Sequence, residues 1–465
     1  MEGKKLIKKT GLYFIGNLSS KILTFVLVPI YAFYIKSEEL GEFDYAQTIM
    51  NIIVPICFVA IWEAILKFVI QEDDDIKKNK IIATSSVFTI TASLFIFAAA
   101  VFYNIIDNSH KTLFYFVFMI ISYAFMFIWQ YYARALGKNK IYVLTGIIGT
   151  AVNFTLNIFL ICFLSMGLKA LFISYIFGNV VIAVILETRI KILKRIKIKS
   201  VDLKVLKKMF LFSAPLVLNL ISTWLITGFG RTVIKDRLGD EYNGMYAFAN
   251  KFAIVISMLG SVINMAIIEE ALISAKTEGI GESFKNTIEN LFRIFQSMII
   301  AAAPVIVIFY YTIKNTEYYD SIVYFPMLLM YSLIMIMTTG FGTVFQVIEK
   351  TKYQFITTVL GAITTVVLSY GFIDKFGLHS IIIAQVAGAF VMLISRYIFV
   401  NKYVEFKINW IPICIMLIIY CLVCLICINF NLFINIAVFI ISVFLLAYYN
   451  RNFMKNALIM IRNKK

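Results

Sequence analysis

Charge is scarce in this 465-residue chain: Asp, Glu, Lys and Arg make up 15% of it, against roughly 25% in soluble domains. Hydrophobic residues reach 61%. Such a chain could not cover its own surface with polar groups in water, which excludes a soluble enzyme and a disordered protein. Histidine is almost missing, with two residues, His110 and His379. Each stands alone in the sequence and supports neither a metal site nor a catalytic triad. The six cysteines (Cys57, Cys162, Cys414, Cys421, Cys424 and Cys427) all lie inside apolar runs. They read as small buried hydrophobes, which excludes a secreted disulfide scaffold. Cys421, Cys424 and Cys427 have cluster-like spacing but no fourth ligand, and packing accounts for them. Acidic residues are also few, 26 against 43 basic ones, leaving a net charge of +17. In a soluble protein that excess would point to nucleic acid. In a membrane protein it first reflects where Lys and Arg sit relative to the bilayer.

What the chain has in abundance is long apolar runs. A transmembrane helix needs roughly 20 such residues. Runs separated by short polar breaks give fourteen expected helices, at 10–34, 43–69, 81–103, 112–133, 142–164, 169–188, 209–229, 244–268, 284–312, 321–345, 353–372, 378–400, 409–428 and 432–450. The runs are continuous and do not alternate in polarity, so they read as helices and not as barrel strands. The first run follows Lys4, Lys5, Lys8 and Lys9 but is too long for a signal peptide and lacks a cleavage site, so it is expected to be retained. Placing the N-terminus in the cytoplasm puts roughly thirty of the 43 basic residues in cytoplasmic segments, nearly four times as many as on the other side. The expectation is an all-α integral membrane protein of about fourteen transmembrane helices with both termini cytoplasmic. The basic stretch 189–208 reads as an amphipathic cytoplasmic linker lying on anionic lipid.

The two six-helix blocks repeat each other. GEFDYA at Gly41–Ala46 matches GMYAFA at Gly244–Ala249. Lys138 and Lys140 match Lys350 and Lys352, Gly149 matches Gly361, Gly167 matches Gly377, and Gly178 matches Gly388. The order is kept and the spacing is nearly constant. An even helix number in each block makes them parallel repeats, a pattern common in transporters that rock two bundles about a central cavity. The expected domains are a six-helix bundle at 1–188, the linker at 189–208, a second six-helix bundle at 209–400, and an unmatched helix pair with a basic tail at 401–465.

The whole chain resembles the Wzx-type oligosaccharide flippases of bacterial polysaccharide assembly, within the multidrug/oligosaccharidyl-lipid/polysaccharide exporter superfamily. The resemblance is carried by KKLIKKTGLYFIGNLSSKILTFVLVPIY, EELGEFDYA, RALGKNKIY, SAPLVLNLIS and RLGDEYNGMYAFANK. These are diffuse patterns and not a catalytic signature. The resemblance implies a non-enzymatic, cofactor-free protein of the bacterial cytoplasmic (inner) membrane. It would move undecaprenyl-pyrophosphate-linked oligosaccharide from the inner to the outer leaflet by alternating access, for surface polysaccharides such as O-antigen. It also implies the bilayer, a polysaccharide polymerase and glycosyltransferases as partners, and no nucleic acid. The alternatives are an H⁺- or Na⁺-coupled multidrug exporter of the same superfamily and, ranked last because the outer loops are short, a membrane polymerase or ligase.

Charges at bilayer depth cost free energy and tend to face a cavity or a partner. Five basic residues fall within helices: Lys21, Lys67, Lys251, Arg293 and Arg396. Lys21, Lys251, Arg293 and Lys67 are the expected cations for a diphosphate, Lys as a point charge and Arg as a fork. The resembled family implies cationic residues on the first and eighth helices, which Lys21 and Lys251 match by helix. Lys67 and Arg396 lie near helix ends and also read as snorkelling side chains, Arg396 above all. Arg231, with Lys235 and Arg237, is expected in an outer loop, where it is either solvated or an exit-side contact. Glu63 lies four residues before Lys67, so the two either pair or leave Glu63 to couple an ion. Pro29, Pro55 and Pro215 fall inside helices and read as hinges or static kinks.

Overall fold

A computed structural model describes residues 25–107, 111–197, 200–278, 280–348, 350–404 and 407–451. Among them every regular element is helical. The chain divides into two compact units, Met1–Trp224 and Leu225–Lys465. The first contains α1 (Phe25–Tyr34), α2 (Ser37–Cys57), α3 (Ile61–Gln71), α4 (Asp75–Ile106), α5 (Leu113–Ala135), α6 (Asn139–Ile158), α7 (Leu168–Ile190), the single turn α8 (Ile192–Arg195) and most of α9 (Leu203–Thr227). The second contains α10 (Phe229–Arg237), α11 (Asp240–Glu278), α12 (Ile280–Thr312), α13 (Phe325–Val347), α14 (Thr351–Phe376), α15 (Leu378–Asn401), α16 (Trp410–Asn429) and α17 (Leu432–Tyr449). The division between the two units falls inside α9. The reason is that α9 packs along the first unit, through Phe210 on Phe88, Phe212 on Phe68, and the Trp224 indole N–H donated to the Thr48 carbonyl at 2.8 Å.

Eleven of the described helices are long and apolar enough to cross a membrane, or twelve if α2 and α3 form one bent span. The other two expected spans correspond to α1, described from Phe25 onward, and to α11. Both α11 and α12 run longer than their apolar stretches, at 39 and 33 residues. The added turns, EEALISAKTE and GESFKNTIEN, are polar but rich in good helix formers. Three segments pin the basic linker to the first unit. The Glu187 carboxylate accepts from the Ile192 and Leu193 amides at 3.1 and 3.0 Å and from the Trp129 indole at 2.8 Å. Arg195 donates to Asn79, and Lys80 pairs with Asp202 at 2.6 Å.

The duplication is written into the backbone. Gly167 and Gly377 precede α7 and α15 with φ/ψ of 52°/−129° and 52°/−135°. Only glycine adopts that region without strain. The Lys138 amide donates to the Ala133 carbonyl and the Lys350 amide to the Phe345 carbonyl, each at 2.8 Å. The matched glycines also form matched crossings. A Cβ on Gly178 would lie 3.0 Å from the Gly149 carbonyl oxygen, and one on Gly388 would lie 2.6 Å from that of Gly361. Small residues let two helix backbones approach this closely in lipid. Gly371, by contrast, has open space where a Cβ would go.

One break has no such glycine. α2 and α3 meet at 52° just after Pro55. Ala60 N–H bonds the Pro55 carbonyl at 3.0 Å and Val59 N–H bonds that of Ile56 at 3.3 Å, which is a Schellman cap. The left-handed positions are held by Val59 (φ 51°) and Ala60 (φ 43°). A β-branched residue there is an outlier, and its left-handed backbone costs roughly 1–2 kcal/mol. Phe58, Ala60 and Ile61 are fully buried around the break. Val59→Gly is expected to raise stability by about 1 kcal/mol in thermal unfolding of the detergent-solubilised protein. Gly388→Ala is expected to lower it by about 1–3 kcal/mol, with Gly371→Ala near neutral. A destabilised Val59→Gly protein, or equal effects at the two glycines, would contradict this packing.

Candidate functional site

Lys21 lies outside the described residues. Of the other expected cations, Lys67 is exposed on α3, with its Nζ 4.0 Å from the Phe212 ring centroid. Lys208 stands beside it, 5.1 Å from the ring of Phe68. Two ammonium groups thus share one aromatic pair at the end of the first unit that carries the linker. Lys67 does not pair with Glu63. The Glu63 carboxylate instead accepts from the Tyr131 hydroxyl of α5 at 3.0 Å, and the Arg134 guanidinium lies 4.8 Å from the Tyr131 ring. The bend before α3 sets Glu63 in the first turn of a new helix, where an acidic side chain also complements the helix dipole.

Lys251 is half-buried on α11, about 16 Å from the start of that helix at 1.5 Å per residue. The helix starts four residues before the expected apolar run, at Asp240. Arg293 lies on α12 in a polar hollow against the starts and ends of α16 and α17. Its Nη2 donates to Asn290 Oδ1 at 2.5 Å.

Two arginines stand elsewhere than expected. Arg231 is not in a solvated loop: it is 9% exposed on α10, a short helix that continues past Gly228. Its Nη1 donates to the Thr227 carbonyl at 2.8 Å and its guanidinium lies 4.9 Å from the Tyr246 ring. The Tyr246 hydroxyl donates to Gln385 Oε1 at 2.9 Å. Gly230 admits this arrangement, since a Cβ there would meet Ile381 at 2.6 Å. Gln385 Nε2 and the Tyr331 hydroxyl are buried with no hydrogen-bond partner among the described residues. Buried polar atoms are ordinarily satisfied, so the cluster keeps capacity for a polar guest. Lys235, on the same short helix, pairs with Asp240 at 2.9 Å.

Arg396 does not snorkel. It is 5% exposed and held by three hydrogen bonds, Nη1 to the Thr338 carbonyl at 2.6 Å, Nη2 to Thr358 at 3.1 Å and Nε to Thr357 at 3.2 Å. Gly342 leaves the room the guanidinium fills. The sequence signal was the Thr357-Thr358 pair on the neighbouring helix, which position along α15 alone does not reveal.

Pro29 and Pro215 lie within continuous α1 and α9, whereas the chain breaks after Pro55. Pro304 inside α12 is a fourth intrahelical proline that sequence reading passed over. No group of three or more metal-ligating side chains occurs among the described residues.

Residues 6–268 match the family described as polysaccharide biosynthesis protein. Among curated proteins, none matches the chain. Of solved structures, the lipid II flippase MurJ in an inward closed conformation superposes with a TM-score of 0.69 at 14% identity, over 95% of this chain and 99% of that one. An inward-facing multidrug resistance MATE family transporter of the MOP superfamily gives 0.62 at 15%, over 88% and 95%. A MOP superfamily transporter from Pyrococcus furiosus, described as having a binding pocket of reverse polarity, gives 0.51 at 14%, over 85% and 96%. These likenesses show a shared fold.

The Lys80–Asp202 pair carries a pH dependence. The Lys80 ammonium and then the Lys204 amide hold the Asp202 carboxyl below its usual value. A depressed carboxyl stabilises the clamp above the ordinary carboxylate range and loses that effect as pH falls toward the lowered value. A spin label at Ser200 is expected to be immobile at neutral pH and to loosen on acidification. Asp202→Asn is expected to give the loose spectrum throughout, and an unchanged spectrum in that variant would contradict the clamp.

Proposed function

The chain belongs to the polysaccharide biosynthesis protein family, and from that premise we propose that it is a flippase for undecaprenyl-pyrophosphate-linked oligosaccharide, moving it from the inner to the outer leaflet of the bacterial cytoplasmic membrane. The single observation that carries the substrate class is the sign of the buried charge. Among the described residues both buried charged side chains, Arg231 and Arg396, are arginines. An exporter of cationic drugs would need carboxylates in their place. The fold shared with a lipid flippase agrees with a substrate that stays partly in the bilayer.

In this reading Arg231 and Lys251 of the second unit, with Lys21 and Lys67 of the first, meet the diphosphate in turn. Tyr246, Tyr331 and Gln385 offer hydroxyl and amide groups suited to sugars. Alternating access supplies the movement, and the broken α2–α3 helix is its hinge in the first unit. Polymerase and glycosyltransferases of the same pathway would consume and supply the substrate. Glu63 is the observation that favours the second reading, an H⁺- or Na⁺-coupled exporter, because its carboxylate and the Tyr131 hydroxyl form a pair that one ion could disrupt.

The test is a deletion strain complemented by variants. Loss of the protein is expected to abolish surface polysaccharide and to accumulate lipid-linked glycan on the inner leaflet. Lys251→Ala and Arg231→Ala are expected to lower transport at least about tenfold, with Lys251→Arg retaining part of it. Normal surface glycan in the deletion strain, or full activity in both alanine variants at normal expression, would sink the proposal.

A further inference from the structure

The α16–α17 pair has no counterpart in the first repeat, and its packing on α12 leaves a polar hollow at one end. The wall is formed by Asn286, Glu289, Asn290 and Arg293 of α12, with Asn409 and Tyr449 from the pair. The hollow holds about 320 Å³. Its fit is fixed by polar bolts. The Asn409 amide donates to Glu289 Oε1 at 2.9 Å, Gln296 Nε2 to the Ile413 carbonyl at 2.8 Å, and Asn450 Nδ2 to Ser297 at 2.7 Å. With Nη2 on Asn290, Arg293 still has a buried Nε without a hydrogen-bond partner among the described residues. The transport reading makes no use of this hollow.

Its position in the bilayer is marked from outside. The pair exposes apolar side chains along its length, among them Ile411, Ile415, Ile418, Phe433 and Phe444. At the end that holds the hollow, Trp410 and Tyr448 are exposed as well. Apolar flanks belong in hydrocarbon, and exposed Trp and Tyr at a helix end mark headgroup level.

We infer that this hollow is a binding site for a phospholipid headgroup, a phosphodiester that carries a primary ammonium. Arg293 presents N–H groups to a phosphate, and the asparagine amides of the same wall can complete its coordination. Glu289 decides the class. One of its oxygens is held by Asn409, and the other complements an ammonium. The same carboxylate opposes a diphosphate or a doubly anionic lipid. A quaternary choline has no N–H to donate to it. A bound lipid of this kind would tie the unmatched pair to the second bundle, as a structural lipid independent of the transported one.

The test uses the full chain, purified in mild detergent and equilibrated with equal amounts of phosphatidylethanolamine, phosphatidylglycerol and phosphatidylcholine. Native mass spectrometry then reads retained lipid, and thermal unfolding reads stabilisation by each lipid alone, by inorganic phosphate and by pyrophosphate. Phosphatidylethanolamine is expected to be retained with about tenfold preference and to raise the unfolding midpoint most. Arg293→Ala and Glu289→Gln are each expected to lose that preference while remaining monodisperse, and Arg293→Lys to keep part of it. Should the alanine variant not fold, the Lys and Gln variants carry the comparison. Equal retention of the three lipids, unchanged preference in the Glu289→Gln and Arg293 variants, or equal stabilisation by phosphate or pyrophosphate alone would overturn the inference. None of these readings depends on flipping, so a failed transport assay leaves this one standing.

Discussion

In hydrocarbon a polar group has no water to fall back on, and whatever is buried must find its partners inside the protein. A charge inside a span costs up to roughly 2.5–3.5 kcal/mol on insertion scales, most at the centre and less toward the ends, and a hydrogen bond to a charged group contributes about 1.5–3 kcal/mol. Arg396, which donates three such bonds to the Thr338 carbonyl and the Thr357 and Thr358 hydroxyls, is therefore tolerated without a carboxylate. The same constraint explains the hydroxyl pairs at the cores of both units. Tyr132 meets Ser85 and Ser86 at 2.7 and 2.9 Å, and Tyr310 meets Ser321 at 2.7 Å. Where the accounting is left open, as at Gln385, Tyr331 and Arg293, the structure has polar capacity to spare, and those places are the candidates for ligands.

The duplication separates scaffold from function on the same grounds. Close glycine crossings, Gly149 with Gly178 and Gly361 with Gly388, recur in both halves because helix backbones in lipid gain mainly from close packing. The cations do not recur. At one spacing Lys251 answers to Thr48 in the first half, and Arg231 of α10 answers to Val28 of α1. A duplicated frame with unduplicated charges suits a substrate that is itself lopsided, with a diphosphate at one end and sugars beyond.

Much of the frame was legible in the sequence, because a continuous apolar run of span length has few other uses. The repeat was legible because glycine at a left-handed turn or a tight crossing has no substitute, as at Gly167 and Gly377. Three features were not. The Val59–Ala60 break had only Pro55 as a signal, since neither Val nor Ala announces a left-handed conformation. FGRTVIKDR lacks the apolar length that signals a span and reads as a loop, although Arg231 packs on the Tyr246 ring of the next helix and caps the Thr227 carbonyl one turn back. Distance from a helix end does not reveal the surroundings of Arg396, because its partners sit on α13 and α14 and periodicity along α15 gives no view of them. Position along a helix gives depth; it does not give the neighbours on other helices that decide whether a charge is solvated.

The central claim is that the chain carries a diphosphate-linked glycolipid across the bilayer. The most direct measurement is in proteoliposomes containing the purified protein and a labelled polyprenyl-pyrophosphate oligosaccharide loaded in one leaflet, with a membrane-impermeant glycosidase reporting arrival in the other. Label should become accessible with the protein and stay protected in empty vesicles or when the lipid lacks its diphosphate. Equal rates with and without the protein, or with a neutral lipid in place of the diphosphate, would contradict the claim.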